Sequence, residues 1–222
     1  MNLGRLVSEI QDIVQDGAYS STDIITRINE ALFDIAAGLE IPTKQNTTAP
    51  LPGLFTSDTI DLVSTARYGD MPSDFQRGPV TVYGATSEQV PIMTSFMRFM
   101  LDYPILETGD SISRAILNGN KLYVHPAVDE TVTVTYYSQP EELSDETDEP
   151  TWLPAQFHRR LLVNMVCLAL YRRIEDGLEG SKPNTQYYQG EVDKAIYYFD
   201  LFLGDDGNPS YIEDADIETQ IV

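Results

Sequence analysis

The sequence predicts an α+β fold that is mainly α, a four-helix bundle with an inserted antiparallel β lobe and an extended C-terminal tail. Apolar residues recur with helical spacing at both ends of the chain, and they alternate with polar residues in the middle. The final stretch carries no lysine or arginine. We therefore assign residues 1–42 and 150–203 to the bundle, 43–149 to the inserted β-rich lobe and 204–222 to an acidic C-terminal tail.

The first forty residues predict two helices. The first helix has apolar positions three or four residues apart, which are Leu3, Leu6, Val7, Ile10, Ile13 and Val14. Gly17 ends this run, and hydroxyl groups at 20–22 offer an N-cap for the second helix. The apolar positions of the second helix are Ile25, Ile28, Leu32, Ile35, Ala36 and Leu39. The short turn between the helices predicts antiparallel packing.

The middle of the chain predicts strands joined by short turns. Residues 43–57 are rich in Thr, Pro and Gly and are expected to form a loop. Apolar residues then alternate with polar ones, at Ile60, Leu62, Val80, Val82, Val132, Val134 and Tyr136. Asn118-Gly119-Asn120 predicts a tight hairpin turn, since Asn and Gly tolerate positive φ. Turns this short exclude crossover helices, so the strands should be antiparallel. Helical spacing returns briefly at 93–100, which predicts a short helix.

Two longer helices are predicted after the lobe. The third spans about 157–174, with Pro154 suited to its first turn. Between 161 and 171 it is apolar almost all round, so it must be covered on several sides. The fourth spans about 185–203, with an apolar stripe of Tyr188, Val192, Ala195, Ile196, Phe199, Phe202 and Leu203.

Composition and charge exclude several classes of protein. The chain has 222 residues with 14 Lys and Arg against 35 Asp and Glu, a net charge of −21. This balance disfavours ordinary nucleic-acid binding, which needs basic side chains on phosphates. No apolar run approaches the roughly 18 residues of a membrane span, and no secretory signal is visible. We expect a soluble acidic protein made inside the cell.

A search for catalytic or metal-binding residues identifies none, so we expect neither an enzyme nor a cofactor. His125 and His158 have no second His or Cys at ligand spacing, and we expect both to be structural or exposed. Nucleophile elbows, phosphate loops and dinucleotide motifs are absent from the sequence. The single cysteine, Cys167, excludes an intramolecular disulfide, and its apolar neighbours predict an inert thiol.

Three groups of residues are candidates for contacts with other molecules. The acidic segment, residues 141–149, is either a solvated loop or a surface that repels phosphate or meets a basic partner; its acidic residues are Glu141, Glu142, Asp145, Glu146, Asp148 and Glu149. The arginines of the third helix are either solvent-exposed or paired with acids of a neighbour; they are Arg159, Arg160, Arg172 and Arg173. The tail is either a disordered terminus or a segment that orders on a partner; its spaced apolar residues are Tyr211, Ile212, Ile217, Ile221 and Val222.

Four sequence blocks, taken in order, resemble the head-to-tail adaptor (connector) proteins of tailed bacteriophages. The blocks are Arg27-Ile28-Asn29-Glu30-Ala31-Leu32, Gly119-Asn120-Lys121-Leu122-Tyr123-Val124-His125-Pro126, Val134-Thr135-Tyr136-Tyr137-Ser138-Gln139-Pro140-Glu141-Glu142-Leu143 and Trp152-Leu153-Pro154-Ala155-Gln156-Phe157-His158-Arg159-Arg160-Leu161-Leu162. The likeness covers about residues 1–203. The acidic residues 144–149 and the tail depart from the family pattern.

The resemblance implies a structural virion protein of the neck, between capsid and tail, made in the host bacterial cytoplasm. Twelve copies would form a ring that binds the portal protein and a downstream tail, nozzle or tail-tube protein. DNA would pass through the ring without specific binding, helped by an acidic lumen. The long third helix would be covered by its own bundle and by a neighbouring subunit, in a heterologous interface.

Within this interpretation, the apolar residues of the tail would contact the portal and the arginines would lie between subunits. The isolated protein would be monomeric until the portal templates the ring. Two other classes remain open. The chain could be another structural virion protein, such as a receptor- or carbohydrate-binding module, or a tail-associated cell-wall hydrolase.

Overall fold

The computed structural model describes residues 1–15, 17–42, 44, 46–176 and 182–204. These residues form an α+β fold of helices and two three-stranded antiparallel sheets. They divide into two units. The helical unit consists of the described residues of Met1–Gly53 and of Glu141–Val222, and the β unit is Leu54–Pro140. The borders of the β unit thus lie at 54 and 140, where the sequence predicted 43 and 149 for the lobe.

The helical unit begins with the predicted pair, α1 (Leu3–Val14) and α2 (Ser21–Ala37). Asn2 caps α1, since its side-chain oxygen accepts a hydrogen bond from the backbone N–H of Arg5 at 3.1 Å. Ser20 and Asp23 form a reciprocal capping box at the start of α2. The cap predicted at 20–22 is therefore confirmed. The buried face of α2 differs slightly from the prediction, because Ile24 and Ala31 lie in the core while Ile25 is only half-buried.

The long third helix is continuous from residue 155 to residue 174 but is not uniformly α-helical. It consists of α4 (Ala155–Phe157), a π-helical segment (His158–Val163) and α5 (Asn164–Ile174). Pro154 is the residue before the helix, not a first-turn residue as predicted. The sequence analysis did not predict the π-helical segment.

The apolar side chains of the third helix are covered within the chain itself. Seven of them are at most 6 % exposed: Leu161, Leu162, Val163, Val166, Cys167, Leu168 and Leu170. α1, α2 and the last helix, α6 (Pro183–Leu203), all pack against it. The expected coverage by its own helices is confirmed. These seven side chains offer almost no surface to a neighbouring subunit, so the expected contact of this helix with a neighbour stays a prediction.

α6 departs from its predicted stripe near its C-terminal end. Val192, Ala195, Ile196 and Phe199 are buried as predicted. Phe202 is 52 % exposed, although the stripe predicted it inside. The helix therefore leaves apolar surface uncovered beside its last turn.

The β unit contains six strands in two sheets. The first sheet has the order β1 (Phe55–Leu62), β6 (Glu130–Ser138), β3 (Phe75–Tyr83), and the second has the order β2 (Tyr68–Asp70), β5 (Lys121–His125), β4 (Arg114–Asn118). All pairs are antiparallel, as predicted. The loop predicted over 43–57 is too long, because a 3₁₀ turn (Pro52–Leu54) and β1 replace its last part.

The core of the β unit includes most of the residues that alternation placed on one face, although Val80 is only half-buried. Val82, Val132 and Val134 are fully buried, and Ile60 and Leu62 are 4 % exposed. Gly119 turns the β4–β5 hairpin with a φ of +61°, which confirms the predicted turn. The predicted short helix is α3 (Phe96–Asp102), which buries Phe99.

Candidate interaction surfaces

The acidic segment is ordered by hydrogen bonds to the start of α1. The carbonyl of Asp148 accepts from the backbone N–H of Leu3 at 2.8 Å, and that of Glu146 accepts from Gly4 at 3.0 Å. N–H groups in the first turn of a helix have no partner inside the helix. The acidic segment supplies these partners, while five of its six acidic residues stay exposed.

Two further contacts hold the acidic segment in place. The side-chain amide of Asn29 in α2 donates to the carbonyl of Leu143 at 3.0 Å and accepts from its N–H at 2.9 Å. The carboxylate of Asp148 accepts from the N–H groups of Ser144 and Asp145, both at 2.8 Å. These backbone donors lower the pKa of Asp148. The segment is thus a fixed acidic surface, not a freely moving loop.

His158 is part of the structure that fixes the same region. Its Nδ1 lies 2.8 Å from the amino group of Met1, and its Nε2 lies 2.8 Å from the carbonyl oxygen of Leu153. Burial lowers the pKa of the imidazole. The amino group also pairs with Glu149 and, by hydrogen bonding to it, lowers the pKa of that carboxyl. A neutral ring that donates from Nε2 and accepts at Nδ1 satisfies all these contacts.

The four arginines predicted to lie between subunits have different surroundings. Arg159 forms an ion pair with Glu9 of α1, and Arg172 donates to the side-chain oxygen of Gln189 at 2.5 Å. Arg173 is exposed and lies close enough to Asp23 to lower the pKa of that carboxyl, after the larger effect of the Ser20 hydrogen bonds. Arg160 is exposed and has no ion pair within the described part of the chain. A role for these residues between subunits stays a prediction.

Arg160 lies in a groove beside the last turns of α6. This α6 groove has a volume of about 340 Å³ and is lined by Gln156, Phe157, Arg160, Tyr198, Leu201 and Phe202. Tyr198, Leu201 and Phe202 are between 52 and 58 % exposed. The sequence pattern did not indicate this surface, because the apolar stripe of α6 placed Phe202 in the core.

The β unit carries a second exposed apolar surface, the α3 patch. It consists of Met97, Met100, Leu101, Ile105 and Leu106, and Met97, Leu101 and Ile105 are each about 70 % exposed. Monomeric proteins rarely leave a contiguous group of large apolar side chains in water. A signal for it exists in the sequence, since α3 is apolar at five of its seven positions and so short a helix cannot bury them all.

The cysteine and the second histidine singled out in the sequence have structural surroundings. Burial raises the pKa of the Cys167 thiol to about 12, which confirms an inert cysteine. The ring of His125 stacks on Tyr103 with centroids 3.9 Å apart. Among the described residues, no cluster of three or more His, Cys, Asp or Glu could hold a metal ion. Nor does any helix in the described ranges have the length and hydropathy needed to span a membrane.

The predicted portal contacts lie outside the described residues. These contacts are Tyr211, Ile212, Ile217, Ile221 and Val222.

Comparison with known families gives one match over most of the chain. A family model described as SU10 adaptor protein matches residues 1–206. A search of curated proteins finds no match.

Proposed function

Because this chain belongs to the SU10 adaptor protein family, a family of phage head-to-tail adaptors, we propose that twelve copies form a ring that joins the portal to the tail. The observation that carries the proposal is the extent of the family match, since residues 1–206 include both the helical unit and the β unit. The family is structural, so its members work by holding other proteins together rather than by turnover. The chain is accordingly a bacteriophage structural protein, which we propose to lie in the neck of the virion.

The two exposed apolar surfaces support a role in assembly. An adaptor has to contact copies of itself and proteins on both sides of the ring, so it needs several binding surfaces. The α6 groove belongs to the helical unit and the α3 patch to the β unit. Surfaces of this kind mark protein–protein contacts.

The charge supports passage of DNA without binding. A net charge of −21 gives the ring strong repulsion towards phosphate. The acidic segment adds a fixed element, because its backbone is held by α1 and α2 while its carboxylates remain exposed. We propose that this segment faces the DNA channel. Like charges at the channel wall would prevent phosphates from lodging there.

The tail completes the proposal as the portal contact. Residues 205–222 carry six acidic residues and no basic one, together with the apolar residues Tyr211, Ile212, Ile217, Ile221 and Val222. Such a segment can order on a partner by placing its apolar side chains in pockets. We expect the free chain to be monomeric and the ring to form on the portal.

Electron microscopy of the chain mixed with purified portal rings tests this function. We expect extra density beneath the portal with twelve copies of the chain, and no ring in samples that lack the portal. A chain that ends after Gly204 should keep its helical circular dichroism but lose portal binding. A full-length chain with Tyr211→Ser and Ile212→Ser should also bind less, whereas Asp214→Asn serves as a matched control. Failure of the wild-type chain to bind any portal would contradict the proposed function.

A further inference from the structure

We propose that the α3 patch of one copy docks in the α6 groove of the next copy and forms the repeating contact of the ring. This inference rests on the proposed function, since it needs the chain to assemble with itself. It goes further by naming the two surfaces that meet.

The α3 patch is held in a defined shape although it is exposed. The guanidinium group of Arg67 donates to the carbonyl of Tyr103 at 2.7 Å and also to the carbonyl of Ile105. Tyr103 stacks on His125, and Phe99 anchors α3 in the core. A backbone that is already fixed loses less entropy when a partner binds it. The patch is thus prepared to bind before the partner arrives.

The two surfaces have complementary side chains. The α3 patch presents methionine, leucine and isoleucine, which are flexible or aliphatic. The α6 groove presents the exposed aromatic rings of Tyr198 and Phe202, and the buried ring of Phe157 lines its wall. Methionine sulfur makes favourable contacts with aromatic rings, and large aromatic side chains commonly provide the strongest contacts in protein interfaces.

The charges favour contact between the two different surfaces. Arg160 in the α6 groove has no ion pair within the described ranges. The sequence around the α3 patch contributes three carboxylates, Asp102, Glu107 and Asp110. Two arginines lie beside them, Arg98 at 3.6 Å from Asp102 and Arg67 on the backbone carbonyls of the patch, so the rim keeps one excess negative charge. An acidic rim is attracted to an arginine that has no ion pair among the described residues, and such charges set the orientation of partners.

The same charges disfavour contact between identical surfaces. Two α6 grooves facing each other would bring two copies of Arg160 together, and two α3 patches would bring their acidic rims together. A contact between different surfaces is heterologous, and repetition of it gives a ring where the rotation between successive copies closes. The acidic, apolar tail is the competing occupant of the α6 groove, and the test below distinguishes it.

Engineered disulfides test the proposal in full-length chains assembled on portal rings. The native cysteine is fully buried, so it does not interfere. A chain with both L101C and L201C should give a ladder of linked copies on mild oxidation. Either single variant alone should stay unlinked, and a mixture of the two should give dimers only. T59C combined with L201C, which replaces the patch cysteine with another exposed position of the β unit, should give no ladder.

Several results would overturn the inference. Linked dimers from L101C alone would show that patches meet patches. A further chain combines L201C with I217C in the tail. Linkage in this chain, with none in the chain that has L101C and L201C, would show that the tail occupies the groove. Complete rings by electron microscopy without L101C–L201C linkage would leave the proposed function standing and refute this contact. Absence of rings on the portal would instead refute the proposed function, and the inference with it.

A charge variant provides an independent measurement. Arg160→Glu places an acid against the acidic rim of the neighbouring α3 patch, and should lower the yield of linked copies in an L101C and L201C chain about tenfold. Arg5→Glu makes the same change of charge at an exposed position of α1 and should leave the yield unchanged. Equal yields from the two variants would contradict the assigned role of Arg160.

Discussion

Alanine substitutions of Phe199 and Phe202 should separate packing of the helical unit from its assembly. Both rings lie on α6 and contact the ring of Phe157, with centroids 4.9 and 5.3 Å away. Phe199 is fully buried, whereas Phe202 is 52 % exposed. The same chemical change is therefore made once in the core and once at the edge of the α6 groove.

The burial of each ring sets the expected loss in the free energy of unfolding. Phe199→Ala removes a buried ring and leaves a cavity, a change that costs about 3–5 kcal/mol. Full burial of a phenylalanine contributes about 1.5–3 kcal/mol, so the half-buried ring of Phe202 accounts for about 1 kcal/mol. No cavity forms at Phe202, because the site is open to solvent. The two variants should thus differ by about 2–4 kcal/mol.

Urea unfolding followed by helical circular dichroism measures this difference, and binding to portal rings measures assembly. Phe202→Ala should weaken assembly about fivefold, because the exposed half of the ring no longer contributes about 1 kcal/mol to the contact. Folded Phe199→Ala should assemble with nearly the wild-type affinity. Equal losses of stability in the two variants, or wild-type assembly by Phe202→Ala, would refute the reasoning.

Four further substitutions test individual contacts. Gly53→Ala should lower the free energy of unfolding by about 1–3 kcal/mol, because the new Cβ would lie 2.7 Å from the carbonyl oxygen of Trp152. Gly190→Ala, whose Cβ would meet nothing within 4 Å, should instead stabilise α6 by about 0.5–1 kcal/mol. Urea midpoints that shift in the same direction in the two variants would contradict this. Asn29→Ala removes both hydrogen bonds to the acidic segment and should lower the free energy of unfolding by about 1–3 kcal/mol. The backbone amide of Leu143 should then exchange its hydrogen faster, and an unchanged exchange rate would argue against the contact. Burial lowers the pKa of His158, so its neutral form stabilises the fold above the unfolded pKa of about 6.5, and this contribution is lost as the pH falls below that value. The wild-type chain should therefore lose more thermal stability than His158→Gln between about pH 7 and about pH 5, and parallel losses would rule the effect out.

Features set by neighbouring residues could be predicted from the sequence. The capping box at Ser20 and Asp23 needs only residues three positions apart. The hairpin at Gly119 depends on a residue that accepts positive φ between two alternating segments. The start of β1 at Phe55 was missed, because the many Thr, Pro and Gly residues before it extend the loop pattern into the strand.

Features set by distant residues could not be predicted. The acidic segment has the charge of a solvated loop, but Gly4 and Asn29 hold it from far away in the sequence. The apolar run of the third helix indicates that it is covered and does not indicate by what. α1, α2 and α6 cover it, and the exposed apolar surface lies elsewhere, at Leu201 and Phe202.

The interaction surfaces were only partly accessible to sequence reasoning. Of the four arginines proposed for subunit contacts, only Arg160 lies in the α6 groove. Arg159 and Arg172 have partners inside the chain, and a list of charged residues cannot separate these cases. The α3 patch was recognised as a helix but not as a surface, because exposure depends on which side of α3 packs on the sheet.

The pairing of the first and last strands of the β unit affects how the chain can fold during synthesis. β1 and β6 lie side by side, with Phe55 opposite Tyr137, so the polypeptide leaves the β unit close to where it entered. Closing so long a loop in an unstructured chain costs about 4 kcal/mol of entropy. The β unit is contiguous in sequence and is complete as soon as Pro140 has left the ribosome. Its folding can close that loop before α5 and α6 emerge from the ribosome, so α1 and α2 wait for their partner helices only during the rest of translation.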